Sequence, residues 1–547
     1  MAASITVEEL RGALDAALTG KAELAILDVR EAGQYAAGHL FFATHVPYSR
    51  LEIEIVAFVP RKAVPVVVYD AGDGVSEKAA GALAKLGYGD VRCLEGGAPG
   101  WAAAGHTLYE GVNLPSKTFG ELVDLAQDTP HISADDLAAM QDEGGDFVIL
   151  DGRTPEEYGR FNIPGGLSCP NAELPLRFND MVPNDRTTVV INCAGRTRSI
   201  IGAQTLINFG VPNKVVALEN GTQGWALADR ELETGARRFP PRGVMPPALE
   251  AAKARADALA RAHALSFVET DTINEWRTDE TRTLYVFDVR SWGEFEAGHL
   301  QGSTHAPGGQ LVQGTDRWVG VRGARIVVCD DAEVAAVCTA HWLKQMGWDV
   351  HVLKDGIGTE GLEPGPVEGV FPESAADALE DITAGEVAGG DFQIIDMRAS
   401  GAFRDGHIEG ADWATRAHIA AALTESGANV VLDVIGGDYL DRNADALAVG
   451  GTIMQVGLMG GGKATFGLGK LLSKRARLVG TTLRARSLEE KVALSRAFED
   501  RVVPGFEDGS LQVVVDRRYP LADIAEAHAY METNASVGKI ALDVTAG

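Results

Sequence analysis

Residues 187–211 read TTVVINCAGRTRSIIGAQTLINFGV, and this stretch identifies the folding unit from which most of the chain is built. An apolar, β-branched run ends at Cys193, and the short loop Ala194–Arg198 follows it. From Ser199 onward the apolar spacing is helical. A strand, loop and helix of this kind are typical of parallel α/β sheets, whose ligands bind at the carboxyl ends of strands. We therefore predict a functional loop at Cys193.

The cysteine stretch is one copy of a repeat with a fixed register. An Asp-x-Arg tripeptide follows an apolar run at Asp28–Arg30, Asp151–Arg153, Asp288–Arg290 and Asp396–Arg398. Forty-two residues after the first three aspartates, a second apolar run reaches Asp70, Cys193 and Asp330. Eleven residues after all four aspartates stand His39, Asn162, His299 and His407. This register indicates one duplicated supersecondary unit, in which the second copy alone has a cysteine at the slot.

Each repeat alternates short apolar strands with helices. In the first copy, Thr6 is the predicted N-cap of a helix, and Glu9 completes a capping box. The segments ELAILDVR, VPVVVYD and DVRCLEGG are predicted strands, and SEKAAGALAKLGY is a predicted helix closed by Gly87. Continuous apolar strands of about five residues between helices predict a parallel sheet covered on both faces. The fold class is therefore α/β, with repeated three-layer domains.

The register and the composition divide the chain into segments. A chain of 547 residues is too long for one core and should contain roughly three to five domains. We expect copies at 1–115, 125–236 and 266–366, a linker with a solvated helix at 237–265, a truncated fourth copy at 380–423 and a different tail at 424–547.

Composition restricts the functional class. The net charge of −28 argues against nucleic acid or an anionic membrane as a partner. The five cysteines form no CxxC pair, so reduced thiols in a cytoplasm are expected rather than disulfides. The N-terminus lacks the pattern of a signal peptide, and no apolar stretch approaches the ~18 residues of a membrane span. We expect a cytoplasmic protein without a metal site, and the sequence leaves the oligomeric state open.

The residues around Cys193 are suited to sulfur chemistry. Backbone N–H groups at a strand-to-helix turn form an anion nest, which the helix N-terminus reinforces. Gly195 allows the backbone to curl, and the charges of Arg196 and Arg198 favour the thiolate form of Cys193. A thiolate within a cradle of donors is a nucleophile that can also carry an anionic persulfide.

These features together resemble the rhodanese-like sulfurtransferases. The resemblance is carried by the Asp-x-Arg tripeptide, the Gly-His-Leu/Ile element, the six-residue loop Cys193–Arg198 and the terminal Gly-x-x-Gly-Trp element at Gly221–Trp225. Copy one keeps the terminal element at Gly97–Trp101, whereas copy three has Leu362 near the place of the tryptophan. The resemblance covers roughly residues 1–420 and implies tandem rhodanese-like domains. Asn162 replaces the usual histidine in copy two, which we expect to leave catalysis unaffected.

The resemblance implies a double displacement at Cys193. Its thiolate would attack the outer sulfur of thiosulfate or another small anionic donor, and a thiol or cyanide would then accept the sulfur. The substrate-binding residues would be Ala194, Gly195, Arg196, Thr197, Arg198 and Ser199, with Arg177 as a candidate on a neighbouring loop. Arg177 is equally well explained as a solvated surface arginine. Asp151, Arg153 and Trp225 would be structural.

The remaining cysteines and the other copies carry weaker signals. Asp70 and Asp330 cannot form a persulfide, so we expect copies one and three to be inactive. For Cys169, a role as a resolving thiol in copy two is a minor alternative to having no role in the chemistry. We expect Cys93, Cys329 and Cys338 to be structural.

The tail changes character from about Thr424. The segments VVLDVIGGDYLDRN and GGTIMQVGLMGG resemble the later half of the nucleotide-binding domain in quinone oxidoreductases of the medium-chain dehydrogenase superfamily. That resemblance implies a partial Rossmann-like segment over 424–547. No GxGxxG precedes residue 424, and this turn is what cradles the pyrophosphate in intact relatives. We therefore expect no cofactor and no NADPH binding, and we expect the tail strands to complete the sheet of copy four.

Three functions remain open at this point. The leading hypothesis is a sulfurtransferase of the thiosulfate (rhodanese) type with Cys193 as its persulfide site. The alternatives are an NADPH-dependent quinone oxidoreductase-like activity and a non-catalytic sulfur-binding or docking module.

Overall fold

The computed structural model describes most of the chain and divides it into two compact units, 1–390 and 391–547. The described residues are 3–241, 243–359, 361–365, 394–398, 400–419, 428–433, 436–437, 439–458, 461–482, 486–507, 515–532 and 539–544. Within these ranges, no helix combines the length and the apolarity needed to cross a membrane.

Copy one is a parallel α/β sheet, as its sequence predicts. Its elements are β1 (Ala3–Ile5), α1 (Val7–Leu18), β2 (Leu24–Asp28), α2 (Ala32–Ala37), β3 (Thr44–His45), α3 (Leu51–Phe58), β4 (Val66–Tyr69), α4 (Val75–Lys85), β5 (Val91–Leu94) and α5 (Gly97–Ala103). The strands β1, β5, β4, β2 and β3 lie side by side in that order, all parallel. Thr6 caps α1 and forms the predicted capping box with Glu9.

Copy two repeats this arrangement. Its elements are α6 (Leu114–Gln127), β6 (His131–Ile132), α7 (Ala134–Asp142), β7 (Phe147–Asp151), α8 (Pro155–Arg160), β8 (Leu167–Ser168), α9 (Leu174–Met181), β9 (Thr188–Asn192), α10 (Thr197–Asn208), β10 (Val215–Leu218) and α11 (Gly221–Leu227). The parallel strands run in the order β6, β10, β9, β7, β8. Because β9 is the central strand and is apolar on both faces, its carboxyl end is held rigidly where Cys193 follows.

Copy three has the same strand order after a linking helix. The elements are α12 (Pro246–Ala262), β11 (Ser266–Val268), α13 (Thr270–Arg277), β12 (Leu284–Asp288), α14 (Trp292–Ala297), β13 (His299–Leu300), β14 (Thr304–His305), α15 (Gly308–Gln313), β15 (Val321–Arg322), β16 (Arg325–Cys329), α16 (Val334–Gln345), β17 (Asp349–Leu353) and β18 (Leu362–Glu363). The parallel strands run β11, β17, β16, β12, β14.

The three copies pack into one unit through specific contacts. Strand β15 of copy three joins the sheet of copy one by pairing antiparallel with β2. Trp342 on α16 is buried, and its indole N–H donates to Thr205 Oγ1 on α10 at 2.8 Å. The linking helix α12 buries the stripe Ala252, Ala256, Leu259 and Ala260, as expected for a helix packed on one side.

The second unit contains the fourth Asp-x-Arg motif and the tail in separate sheets. Its elements are β19 (Ile395–Asp396), α17 (Ser400–Asp405), β20 (Asp412–Trp413), β21 (Ala428–Asp433), α18 (Tyr439–Asp445), β22 (Leu447–Gln455), α19 (Leu468–Lys474), β23 (Arg477–Gly480), α20 (Leu488–Arg501), α21 (Val503–Glu507), β24 (Val515–Pro520), α22 (Ile524–Glu532) and β25 (Lys539–Asp543). Strand β19 pairs with β20, whereas β21, β22 and β23 form a parallel sheet of their own.

The prediction of a sheet shared between copy four and the tail is therefore wrong for the described residues. The tail strands instead bury a small cluster of their own that includes Ala444, Leu447 and Ile453. The resemblance implies that 434–437 and 456–459 would line the nicotinamide half of a cofactor pocket in intact relatives. Of these segments, 434–435 and 459 lie outside the described residues.

Candidate active site

The Asp-x-Arg motif is a buried clasp that fixes the carboxyl end of the strand it follows. In copy two, Arg153 Nε donates to Asp151 Oδ1 at 2.9 Å and Nη2 donates to Asp151 Oδ2 at 2.7 Å. Both side chains are 1% exposed. Asn192, the last residue of β9, donates from Nδ2 to Asp151 Oδ2 at 3.0 Å. The clasp thus ties β7 to the residue that directly precedes Cys193.

The same clasp recurs in all four repeats. The arginine also donates to a backbone carbonyl ten residues beyond its aspartate, at Gly38, Phe161, Gly298 and Gly406. This recurrence across copies with and without a cysteine indicates that the motif supports the fold rather than the chemistry.

Cys193 lies where the sequence places it, at the carboxyl end of β9. It is 1% exposed, and Ser199 Oγ lies 3.1 Å from its Sγ, as a donor to the sulfur. Helix α10 begins at Thr197, two residues earlier than Ser199, which the apolar spacing favoured as the start. Ser199 therefore lies in the first turn of the helix, with its hydroxyl directed at the sulfur.

The loop after Cys193 presents its amides without protein partners. Within residues 3–241, none of the backbone N–H groups of 194–198 donates to a protein acceptor. The carbonyls of Cys193 and Ala194 are instead fixed from behind, by the N–H groups of Thr222 at 2.8 Å and Gln223 at 3.0 Å. A loop held through its carbonyls and open at its amides has the arrangement of an anion nest.

Copies one and three show what this cradle binds. Asp70, at the same register position as Cys193, accepts from the N–H groups of Gly72 and Ser76, each at 2.9 Å. Asp330 accepts from the N–H groups of Glu333 at 2.6 Å and Ala335 at 2.8 Å. Their carboxylate oxygens therefore occupy the nests of their own loops. In register, the donors correspond to Gly195, Arg196, Arg198 and Ser199 in copy two.

The two aspartates differ in how well the nest compensates for burial. Burial raises the pKa of Asp70, but the N–H groups of Ser76 and Gly72 outweigh it and leave the pKa below its usual value. Burial of Asp330 dominates over its backbone donors and raises its pKa to about 6. Each nest stabilises negative charge, and depth of burial decides the net effect.

Both arginines of the loop are held by carboxylates. Arg198 donates from Nη1 and Nη2 to the two oxygens of Glu157, each at 2.7 Å. Arg196 donates to Glu121 at 3.0 Å and to Asp124 at 2.5 Å, both on α6. The Arg198 side chain is 9% exposed and that of Arg196 is 40% exposed. Arg198 therefore lies against the buried loop, whereas Arg196 lies on the surface beside α6.

The other residues singled out in copy two make contacts with residues outside the cysteine loop. Arg177 lies on α9, 3.9 Å from Glu173, and donates to the carbonyl of Pro241 at 3.4 Å. Cys169 is fully buried in the core of copy two, and burial raises the pKa of its thiol well above the usual value. Trp225 is buried, and its indole N–H donates to the carbonyl of Glu231 at 2.9 Å.

Among the residues beside the loop that were not anticipated from the sequence, two contact Arg198. Glu157 holds Arg198, and Asn171 donates from Nδ2 to the carbonyl of Arg198 at 2.9 Å. Glu157 could have been noticed in the sequence, because it lies six residues after Asp151 and is placed to complete a capping box with Thr154. Asn171 has no such signal, because its role depends on a contact between distant segments.

The comparisons with known proteins agree with this architecture. A family model described as "Rhodanese-like domain" matches residues 6–104, 133–228 and 271–358, which together exceed half of the chain. A chain of repeated α/β domains of this kind is a tandem-domain protein, and it belongs to the rhodanese-like domain family. A second model, described as "Zinc-binding dehydrogenase", matches residues 406–542 and confirms the resemblance predicted for the tail. Among the described residues, no group of three or more His, Cys, Asp or Glu side chains is placed to hold a metal ion.

Individual relatives cover the chain to different extents. A crystal structure of a thiosulfate sulfurtransferase from Pseudomonas aeruginosa is 39% identical, with a TM-score of 0.74, over 88% of this chain and 91% of that chain. A protein named "Sulfurtransferase" from Allochromatium vinosum is 32% identical over 17% of this chain and 86% of its own length. A Mycobacterium tuberculosis protein named "Putative thiosulfate sulfurtransferase SseB" is 32% identical over 21% of this chain. The matched part covers 43% of the length of that relative.

Proposed function

We propose that the chain is a sulfurtransferase that moves sulfane sulfur through a persulfide on Cys193. One observation carries the proposal. The slot that a carboxylate fills in copies one and three holds a cysteine in copy two, where the backbone N–H groups of 194–198 donate to no protein acceptor within residues 3–241. A nest built for an anion is suited to a thiolate and to the more extended anion of a persulfide.

The first half-reaction loads the cysteine. The Cys193 thiolate attacks the outer sulfur of thiosulfate, a new S–S bond forms to Cys193, and the bond between the two thiosulfate sulfurs breaks. Its electron pair leaves with sulfite, so a thiolate and a dianion become a persulfide anion and a dianion. The amides of 194–198 face the negative charge throughout, and Ser199 supplies a further donor at the cysteine sulfur.

The second half-reaction transfers the sulfur from the Cys193 persulfide to the acceptor. Cyanide or a cellular thiolate attacks the outer sulfur of the persulfide and leaves as thiocyanate or a new persulfide, while the Cys193 thiolate is restored. Thiosulfate as the donor is supported by the names of relatives. The acceptor and the absence of a cofactor are further parts of the proposal. Copies one and three would act as scaffold, because their nests are already occupied by Asp70 and Asp330.

The test is thiosulfate:cyanide sulfurtransferase activity of the purified chain beside Cys193→Ser. We expect turnover and a persulfide adduct of about 32 Da, the mass of one sulfur atom, in the parent chain, and neither in the variant. Turnover that survives in Cys193→Ser would refute the assignment of the nucleophile. Absence of turnover and of the adduct in both chains would refute thiosulfate as the donor.

A further inference from the structure

Arg196 and Arg198 with their carboxylate partners form the charged surface beside the Cys193 loop, which we call its mouth. The charge of this mouth does not suit a doubly charged anion. The ion pairs of Arg196 and Arg198 bring three carboxylates to two guanidinium groups: Glu121, Asp124 and Glu157. The chain as a whole carries a net charge of −28, so there is no compensating long-range attraction for an anion.

Glu157 is the carboxylate that matters most for the loop. It binds both terminal nitrogens of Arg198 at 2.7 Å, so the fork of that guanidinium is filled on one side. Burial raises the pKa of Glu157, but the hydrogen bonds and charge of Arg198 lower it by more, and the net pKa lies below the usual value. The carboxylate is therefore ionised at neutral pH. Its side chain is 35% exposed, which leaves it facing the solvent at this mouth.

The pair belongs to the copy with the cysteine. In copy three, Glu294 stands at the register position of Glu157 and likewise completes a capping box, but Ala335 stands in place of Arg198. In copy one the corresponding residues are Gln34 and Val75. The carboxylate and the arginine therefore occur together in one of the three copies, beside Cys193.

We propose that Glu157 is a specificity-determining residue that disfavours doubly charged sulfur donors. A dianion that approaches Arg198 has to share the guanidinium with a carboxylate already bound to it, and the repulsion grows with the charge of the donor. The site would therefore favour singly charged sulfane donors, such as thiosulfonate or persulfide anions, over thiosulfate. This inference rests on the proposed function, since it concerns the donor of the same half-reaction.

A donor pair that differs in charge tests the inference directly. Benzenethiosulfonate carries one negative charge and transfers its outer sulfur to the Cys193 thiolate. The S–S bond breaks, and benzenesulfinate leaves with its electron pair. Thiosulfate carries two charges and delivers the same sulfur. The quantity to measure is the ratio of kcat/KM for thiosulfate to kcat/KM for benzenethiosulfonate, with cyanide as the acceptor.

The variant is Glu157→Gln, which keeps the shape and an oxygen for the capping box while it removes the charge. We expect the ratio to rise about five-fold, the factor for one extra unit charge on the donor about 4 Å from the carboxylate with the dielectric constant of bulk water. The control is Glu294→Gln, which removes the matched carboxylate of copy three and should leave the ratio unchanged. A ratio that stays constant or falls in Glu157→Gln while turnover persists overturns the inference.

A measurement on the parent chain covers the case in which Glu157→Gln does not fold. Salt screens charges at the mouth, so kcat/KM for thiosulfate should stay level or rise as KCl increases from about 50 mM to about 500 mM. A steep fall with salt would show a net attractive mouth and overturn the inference. Failure of the proposed function is distinct from both results, because neither donor would then leave a persulfide on the parent chain.

Discussion

Gly221 offers the most direct test of how the cysteine loop is held. It has a φ of +51°, and a Cβ atom built there would lie 2.2 Å from the carbonyl oxygen of Cys193 and 2.7 Å from that of Gly195. Real Cβ contacts do not fall below 3.0 Å, so Gly221→Ala must displace the Cys193 carbonyl or the start of α11 by roughly 1 Å.

The expected cost has two parts. The left-handed backbone costs a non-glycine residue about 1 kcal/mol, and forcing a methyl group into a filled space adds about 1–3 kcal/mol. We expect Gly221→Ala to destabilise copy two by about 2–4 kcal/mol. A misplacement of about 1 Å at the nucleophile should also lower the rate of persulfide formation by about ten- to hundred-fold.

The control is Gly165→Ala in the same copy. Gly165 has a φ of +81°, but no atom lies within 4 Å of its Cβ position, so only the backbone cost of about 1 kcal/mol applies. Amide hydrogen exchange of copy two measures stability, and intact-mass detection of the persulfide measures the reaction. Equal stability and equal loading in the two variants would refute the view that Gly221 holds the loop.

The remaining predictions concern the other cysteines, the two aspartates and the tail. Burial raises the pKa of each cysteine thiol outside copy two, so sulfur transfer should largely survive in Cys93→Ser, Cys329→Ser and Cys338→Ser, assayed with thiosulfate and cyanide. Because burial raises the pKa of Asp330 to about 6, against 3.8 unfolded, copy three should lose on the order of 1–3 kcal/mol of stability as pH rises from about 4 to about 6. Asp330→Asn should flatten that slope in hydrogen exchange, and an unchanged slope would contradict the assignment. The stability contribution of Asp70 changes with pH in the opposite direction, because burial raises its pKa but the backbone N–H donors outweigh this and lower it. The ionised Asp70 therefore stabilises copy one at neutral pH. Asp70→Asn should reduce the loss of stability of copy one on acidification below about 4. A fluorescence titration should show no saturable NADPH binding, since the first half of a dinucleotide site is missing from the sequence, and saturation at micromolar NADPH would contradict this.

Much of the fold could be predicted from the sequence because it depends on local patterns. Apolar runs of strand length, the capping box at Thr6 and the glycine after α4 are all read within a few residues, and each appears in the structure. The internal repeat added information that a single domain would lack. It set the register of three sheets and singled out Cys193 as the cysteine that stands in the slot after the strand.

The sequence could not predict the charge state of the site, because this depends on residues far apart in the chain. Arg198 and Glu157 are 41 positions apart, and Arg196 and Glu121 are 75 positions apart. From the sequence, the two arginines were expected to bind an anionic donor, and nothing indicated which carboxylates would lie beside them. The fold instead brings α6 and α8 beside the loop, and their carboxylates take up both guanidinium groups.

The sequence by itself thus determined which strand is followed by a cysteine and which copies have an aspartate at the same position, since side-chain identity at a fixed register can be read without the fold. The tertiary structure showed that the nests predicted at these turns bind an anion in copies one and three, where the carboxylates of Asp70 and Asp330 accept from the backbone N–H groups. It also decided that the arginines beside the cysteine are already paired. The physical reason is that backbone donors and ion pairs act over a few ångströms, and only packing sets those distances.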